Sequence, residues 1–374
     1  SIDIQNNFEP NYQPIRDKKQ IIKELRNYSK NYNVLLAADD DREGDAIAWH
    51  CGNIMKLNFT KKNRILFHEV SKKAIMKAIK NVHQLNMNSV NAQQGRRIID
   101  RLVGYSLSPL LWKFINTKHS GLSAGRVQST LLLILKEDEE KINKYQSASS
   151  YEYQGNFKDK PSCELITKRK DSEEIMKKLI ENREYRIQKQ YHKEDKKYSP
   201  NPFITSTLQQ SAQNELGFSV KTTMKIAQKL YENGKITYMR TDSMNISKEF
   251  QGELKDHIYN IYGKDYYYQR SPNKKVKGAQ EAHECIRVTK ANEKLNNKYS
   301  EYDHKLYELI KKRTICSHMK PAIYDNLIYE LSNEELKDDY FKGCYRVLLY
   351  DGYLRYSDSD LEMKDKQEDL SHSD

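Results

Sequence analysis

Cysteine is scarce: five residues in 374, at positions 51, 163, 285, 316 and 344, with no CxxC pair among them. An odd, scattered set excludes a disulfide framework and a cysteine-rich zinc site, and points to a reducing, intracellular compartment. No apolar run approaches the ~18 residues of a membrane-spanning helix, so no membrane partner is expected. The opening Ser1–Asn7 has the features of neither a signal peptide nor a transit peptide. A GxxxxGKS/T loop is also missing, which argues against a nucleoside-triphosphate-driven reaction. Acidic residues are outnumbered, with Asp+Glu 52 against Lys+Arg 64 and a net charge of +12. A basic chain suits a polyanionic partner, although charge alone does not single out nucleic acid. The length allows two or three domains with a sizeable core.

Taken in order, the first sixteen residues are polar and irregular. Lys18–Ser29 carries Ile21, Ile22 and Leu25 at helical spacing. Val34–Ala38 is a short apolar run, read as a buried parallel strand. The acidic turn 39–45 (DDDREGD) follows, and Ala46–His50 opens a helix. Strand, acidic turn and helix place the turn at the carboxyl edge of a parallel sheet. Asp39, Asp41 and Glu43 alternate, so their carboxylates can converge on one hard cation, for which Mg²⁺ is the best match. An EF-hand is excluded, because its last ligand would be His50 and a strand, not a helix, precedes the loop. A solvated acidic turn that caps a helix is the competing reading. Arg64–Phe67 reads as a second strand, and Ser71 as the cap of a helix through Val82.

The next pattern is a long helix from Asn91 to about Ser106, with Ile98, Leu102 and Tyr105 inward beside Ile99 and Val103. Pro109 is expected to end it. Arg96 and Asp100 form an i, i+4 pair of opposite charge. In Gly121–Ser129 two glycines and Ser123 precede an apolar helix, a pattern that offers backbone amides and Arg126 to a phosphate. Between Tyr145 and Ser199, strand-like pieces (Tyr151–Phe157, Cys163–Lys168, Tyr185–Tyr191) alternate with charged turns and one helix at Ser172–Asn182. Pro200–Phe203 marks a boundary. A helix capped by Thr205 or Ser206, a turn at Gly217 and a helix at Lys221–Tyr231 lead to Gly234. Ser247 caps a further helix, and Ser300–His318 is helical. Tyr324–Glu330 and Tyr345–Tyr350 read as strands, and Ser357–Asp374 as a disordered acidic tail.

After Gly234 comes Ile236–Ser243 (ITYMRTDS). Most of the 27 tyrosines in this chain must be packing residues. A phenol, with an ordinary pKa of about 10, is a poor nucleophile unless a cation stabilises the charge involved. In an extended run Arg240 falls on the same side as Tyr238 and could do so. Further on, His283 lies in the polar run 279–287 (AQEAHECIR), where a lone histidine is more often structural than catalytic.

Five stretches, in this order, resemble the type IA DNA topoisomerases: the acidic turn, with its DxDxEG pattern; the helix around Arg96–Arg97–Asp100; Gly121–Ser129; Ile236–Ser243; and Gln280–Arg287. Ala46–His50 is closer to the bacterial topoisomerase I branch than to topoisomerase III. The resemblance implies a multidomain α/β, α and β architecture closed into a toroid. Its parts would be a Toprim domain (1–85), a helical strand-binding domain (86–147), a β-rich arch (148–199 and 321–357), a winged-helix-like tyrosine domain (200–320) and the tail (358–374). It implies that Tyr238 attacks a DNA strand to give a 5′-phosphotyrosine, aided by Arg240 and His283. Arg96, Arg97, Asp100, Ser123, Arg126 and Gln128 would hold the single strand, and Asp39, Asp41 and Glu43 would bind Mg²⁺. A monomer is implied. The family pattern also has a glutamate and a lysine before position 1 and helices after position 374, so a chain truncated at both ends, with little activity of its own, is expected. The alternatives are a topoisomerase III-like decatenase, a non-cleaving single-strand-binding scaffold and a Toprim nuclease or primase.

Overall fold

The computed structural model describes residues 1–115, 121–147, 151–167, 175–177, 179, 184–270, 284–336 and 339–357. His283, the tail 358–374 and most of the helix expected at 172–182 lie outside them. The chain divides into two compact units, Ser1–Ser147 and Ala148–Asp374.

In the first unit a small hairpin, β1 (Ile2–Asp3) with β2 (Glu9–Pro10), precedes helix α1 (Lys19–Asn31). Helix α2 (Arg42–Met55), strand β3 (Lys62–Arg64), helix α3 (Lys72–Lys80) and strand β4 (His83–Gln84) follow. Leu36, Ala48, Leu85 and Val90 form the small core, with Trp49, Met55 and Phe59 packed against it. Ser71 caps α3 as its position suggests, accepting from the Ala74 N–H at 3.2 Å.

Val34–Ala38 is not a strand. Its sheet contact is a single parallel bridge between Leu36 and Arg64, and β3 pairs antiparallel with β4. The reason is a side chain. The Arg64 guanidinium is 1% exposed and donates to the carbonyls of Leu36, Ala38 and Asp39 at 3.4, 2.6 and 2.6 Å. Leu36 still pairs with the neighbouring chain, its N–H with Asn63 and its carbonyl with the Ile65 N–H, but the next carbonyls, Ala38 and Asp39, are taken by arginine instead of a strand.

Helix α4 (Met87–Phe114) runs straight through Pro109, contrary to the expected stop. Proline removes one helical hydrogen bond. The turn beyond it is held from outside: Trp112 Nε1 donates to the Leu122 carbonyl at 2.6 Å, and Ser108 Oγ accepts from the Ala124 N–H at 3.1 Å. The expected inward face of α4 is only half-covered, and Ile99 and Tyr105 are exposed. Helix α5 (Arg126–Lys144) exposes the consecutive residues Leu131 to Leu135, although a helix apolar on all sides is ordinarily buried.

The second unit holds a five-stranded antiparallel sheet of order β5-β6-β9-β8-β7. The strands are β5 (Gln154–Gly155), β6 (Cys163–Ile166), β7 (Arg186–Lys197), β8 (Ala322–Ser332) and β9 (Tyr340–Tyr350). Chain from either side of the helical region thus meets in one sheet. Cys163, Leu165, Leu331 and Phe341 pack on one face of it. Edge strand β7 is exposed along its whole length.

Between the strands lie helices α6 (Thr205–Leu216), α7 (Val220–Glu232), α8 (Lys248–Tyr262) and α9 (Glu301–Cys316). Leu208, Leu230, Leu254 and Ile310 are fully buried among them. Gly217, at φ 68°, ends α6 in the left-handed region that glycine adopts freely. Ser219, Ser247 and Ser300 cap α7, α8 and α9 through their hydroxyls. At α6 the N-cap is Ile204, not Thr205 or Ser206, and Thr207 Oγ1 accepts from its N–H at 3.0 Å. Thr205 is used elsewhere, as described below.

Leu230→Ala is expected to cost about 2–5 kcal/mol by emptying a buried site. Leu132→Ala on α5, where the side chain is 67% exposed, should stay within about 0.5 kcal/mol. Urea unfolding of the two variants checks the contrast; equal losses would show that α5 is covered in solution.

Candidate active site

The acidic turn is built around a close backbone approach. A Cβ at Gly44 would lie 1.9 Å from the Asp39 carbonyl oxygen, so only glycine lets the start of α2 fold back on the turn. Asp41 is the N-cap of α2: its carboxylate accepts from the Gly44 N–H at 2.6 Å. The helix therefore begins at Arg42, earlier than the apolar run from Ala46, and Glu43 and Asp45 sit in its first turn, where the helix dipole favours negative charge. Asp45 Oδ1 accepts from Arg64 Nε at 3.0 Å. Asp40 Oδ2 lies 3.3 Å from His68 Nδ1. Glu43 lies 3.9 Å from Arg96.

Asp40, Asp41, Glu43 and Asp45 thus each have a separate neighbour. Among the described residues, no three His, Cys, Asp or Glu side chains come together as a metal site. The expected convergence of Asp39, Asp41 and Glu43 on one cation is therefore not present as a preformed cage. The physical reason is the capping geometry, which turns Asp41 to a backbone amide while Glu43 reaches toward a guanidinium on α4. The donors themselves, carboxylate oxygens only, remain of the type that magnesium prefers.

Arg96 also lies 3.9 Å from Asp100, the expected i, i+4 contact. Asp100 has a shorter partner, Arg126 Nε, at 2.8 Å. Glu43, Arg96, Asp100 and Arg126 consequently form a chain of alternating charge from the acidic turn, along α4, to the start of α5. The Arg126 hydrogen bond is the main cause that holds the Asp100 carboxyl below its ordinary 3.8. Arg97 points to a different group: its guanidinium lies 5.8 Å from the Tyr12 ring, which packs edge-on to His50. Burial, and then the Arg97 charge, lowers the pKa of His50.

The glycine-bearing segment before α5 is less open than its sequence suggests. Ser108 Oγ accepts the Ala124 N–H, and Ser129 Oγ the Gly125 N–H at 3.3 Å, so two of the expected phosphate-facing amides are engaged. Gln128 Nε2 donates to both the carbonyl and the hydroxyl of Ser123 at 2.9 Å. Ser123, Gln128 and Arg126 are thereby fixed together at the head of the helix.

In the second unit the tyrosine run is not a strand. It has one antiparallel bridge, Ile236 with Val288, and Ile236, Thr237, Tyr238 and Met239 are all buried in succession. Tyr238 is 3% exposed and packs against the Tyr231 ring at 5.1 Å, whereas Arg240 is exposed. The alternation that would have set both on one face is absent. Two threonines hold the run instead. Thr205 Oγ1 donates to the Met239 or Thr241 carbonyl at 2.8 and 3.0 Å and accepts from the Thr241 N–H at 2.9 Å. Thr237 Oγ1 is within 2.7 Å of the Cys285 carbonyl and accepts from the Arg287 N–H. Arg287 is buried over the Phe250 ring and pairs with Glu284 at 2.7 Å. His283, adjacent to Glu284, is outside the described residues.

Arg64, Thr205 and Arg287 are the positions that sequence reading missed. Nothing local marks Arg64 as buried, since its partners are up to 28 residues away. For Arg287, the acid three residues earlier was a readable hint.

A family profile described as DNA topoisomerase matches residues 84–374, and one described as the Toprim domain matches residues 4–70. The chain belongs to the type IA DNA topoisomerase family, with a Toprim domain at its start. Among solved structures, full-length topoisomerase I from Thermotoga maritima is similar over 96% of this chain, at 36% identity and a TM-score of 0.82. The chain spans 61% of the length of that protein.

Arg64→Met would leave Asp45 and the carbonyls of Ala38, Asp39 and Ile65 without their buried cation and should cost about 3–5 kcal/mol; urea unfolding followed by Trp49 fluorescence in a Trp112→Phe background reads it. The Asp100 carboxyl should titrate below 3.8 by NMR and move upward in Arg126→Gln. The sign follows from linkage: with the folded pKa depressed, the stabilising effect of this pair is present above the ordinary carboxylate range and is lost as pH falls through the folded value.

Proposed function

We propose that this chain carries the strand-cleaving and strand-rejoining core of a topoisomerase that relaxes negatively supercoiled DNA without ATP. Tyr238 is the nucleophile. Its phenolic oxygen gives up its proton and attacks the phosphorus of one phosphodiester in a single-stranded segment; a 5′-phosphotyrosine bond forms, the bond from phosphorus to the 3′-oxygen breaks, and that oxygen takes up a proton, so no proton is gained or lost overall. The phosphodiester energy is kept in the new ester, so the reverse attack by the 3′-hydroxyl reseals the strand after another strand has passed. What carries this reading is the ITYMRTDS run, with Tyr238 held from both sides by Thr205 and Thr237 in a chain whose residues 84–374 match the family profile.

The roles of the other residues follow from their charge and position. Arg240, exposed two residues on, neutralises charge on the phosphate in the transition state. His283 acts beside the same phosphate. Arg96, Arg97, Asp100, Ser123, Arg126 and Gln128 grip the unpaired strand. Magnesium needs only one or two carboxylates besides water and phosphate oxygens, and Asp39, Asp41 and Glu43 would provide them. The bound ion would offset phosphate charge during rejoining.

At 3% exposure, the Tyr238 ring must become accessible before a strand can meet it. That burial favours a second reading, a scaffold that grips single strands and does not cut them. Trapping with denaturant on a single-stranded oligonucleotide separates the two. The first predicts a covalent protein–DNA adduct that Tyr238→Phe abolishes. An adduct that survives Tyr238→Phe would refute Tyr238 as the nucleophile, and binding with no adduct from the parent chain would count for the scaffold. Plasmid relaxation compared with unlinking of catenated circles then assigns the branch.

A further inference from the structure

A second basic site lies in the first unit, apart from every candidate site residue named above. Helix α1 carries Lys19, Lys23, Arg26 and Lys30, at steps of four, three and four residues. These steps keep one helical face, so the four cations form a single stripe. With Lys56, at the end of α2, they line a cleft of about 610 Å³ between α1 and that end. Pro14, Ile22 and Met55 supply its apolar wall, and no carboxylate is among its described lining residues. Arg26 is anchored there, donating to the Ile54 carbonyl at 2.9 Å.

The cleft is not part of the acidic turn. That turn caps the start of α2, and the cleft is at the other end of its 14 residues, about 20 Å along the axis. Nor does local structure explain the stripe. Lys19 with Lys23, and Arg26 with Lys30, are like charges at i, i+4, a spacing that destabilises a helix by a few tenths of a kcal/mol each time. An anion at the cleft would remove that repulsion.

We propose that this cleft binds the sugar–phosphate backbone of duplex DNA flanking the strand that is cut. The spacing suits such a ligand. Four and three residues advance about 6 and 4.5 Å along the helix, so the stripe covers about 16 Å, which is the axial rise of roughly five phosphates on one strand at about 3.4 Å each. Contacts from the lysines to phosphates fix position and carry no sequence information of their own. The proposal rests on DNA being the substrate, but not on Tyr238 chemistry.

The test uses the full chain and a duplex carrying a single-stranded gap, with binding measured by fluorescence anisotropy across a salt series. Removing one cation that neutralises a phosphate lowers the slope of log K against log salt by about 0.9. The triple variant Lys19→Gln, Lys23→Gln, Lys30→Gln should lower it by about 2 to 3, while adduct formation on a short single-stranded oligonucleotide stays at the parent level. The charge-matched triple Lys72→Gln, Lys77→Gln, Lys80→Gln on α3 should leave the slope unchanged, and Lys→Arg at the three α1 positions should restore it. An unchanged slope in the α1 variant, or equal decreases in both triples, overturns the cleft as a DNA site. Absence of adduct from the parent chain would instead count against Tyr238 as the nucleophile and leave the slope comparison intact.

Discussion

One buried guanidinium sets the geometry of the first unit. Arg64 donates to four main-chain carbonyls, at Leu36, Ala38, Asp39 and Ile65, and to the carboxylate of Asp45 on α2. It thereby ties the chain entering the acidic turn to the helix leaving it. A buried arginine is tolerated only when its donors are matched and its charge is met, and both conditions hold here. The close packing of Gly44 on Asp39 is the other half of the arrangement: the turn is tight because one residue lacks a side chain and another fills the space beneath it.

The two candidate chemical groups are held in different ways. The acidic turn is held by charge, through Arg64 and the line Glu43–Arg96–Asp100–Arg126. The tyrosine run is held by neutral hydroxyls. Thr205 binds the main chain of Met239 and Thr241 just after Tyr238, Thr237 just before it binds the main chain of Cys285 and Arg287, and neither places a charge next to the phenol. Such a clamp fixes the backbone without bringing a charge to the phenol. It also differs in its response to salt, since hydroxyl-to-carbonyl bonds are hardly screened whereas exposed ion pairs such as Arg96–Glu43 are.

Features that depend on neighbours in sequence could be read from the chain. The caps at Ser71 and Ser247 and the helix endings at Gly217 and Gly234 involve groups within a few residues of each other, and the family motifs are contiguous. Features that depend on distant partners could not. The apolar run Val34–Ala38 has strand composition, but beyond Leu36 a side chain 26 residues away takes the Ala38 carbonyl that a continuing strand would need. Pro109 is a helix stop in isolation, and only the contacts of Ser108 and Trp112 with residues 122–124 let α4 continue. Asp100 was readable as a partner of Arg96 four residues back, but not of Arg126, 26 residues ahead. Alternating acids suggested convergence; the local rule of N-capping took Asp41 first.

Strand β7 offers one face of twelve residues' backbone to the outside of its sheet. A free edge of that length is a template on which another molecule's strand could add. Its side chains oppose such growth: Lys189, Lys193, Lys196 and Lys197 alternate with acids and His192 along the edge, and His192 with Asp325 and Asp195 with Arg346 lock it to its own sheet. Two copies meeting there would bring lysine rows together, so fibre-like stacking is disfavoured by the same residues that keep the strand in register.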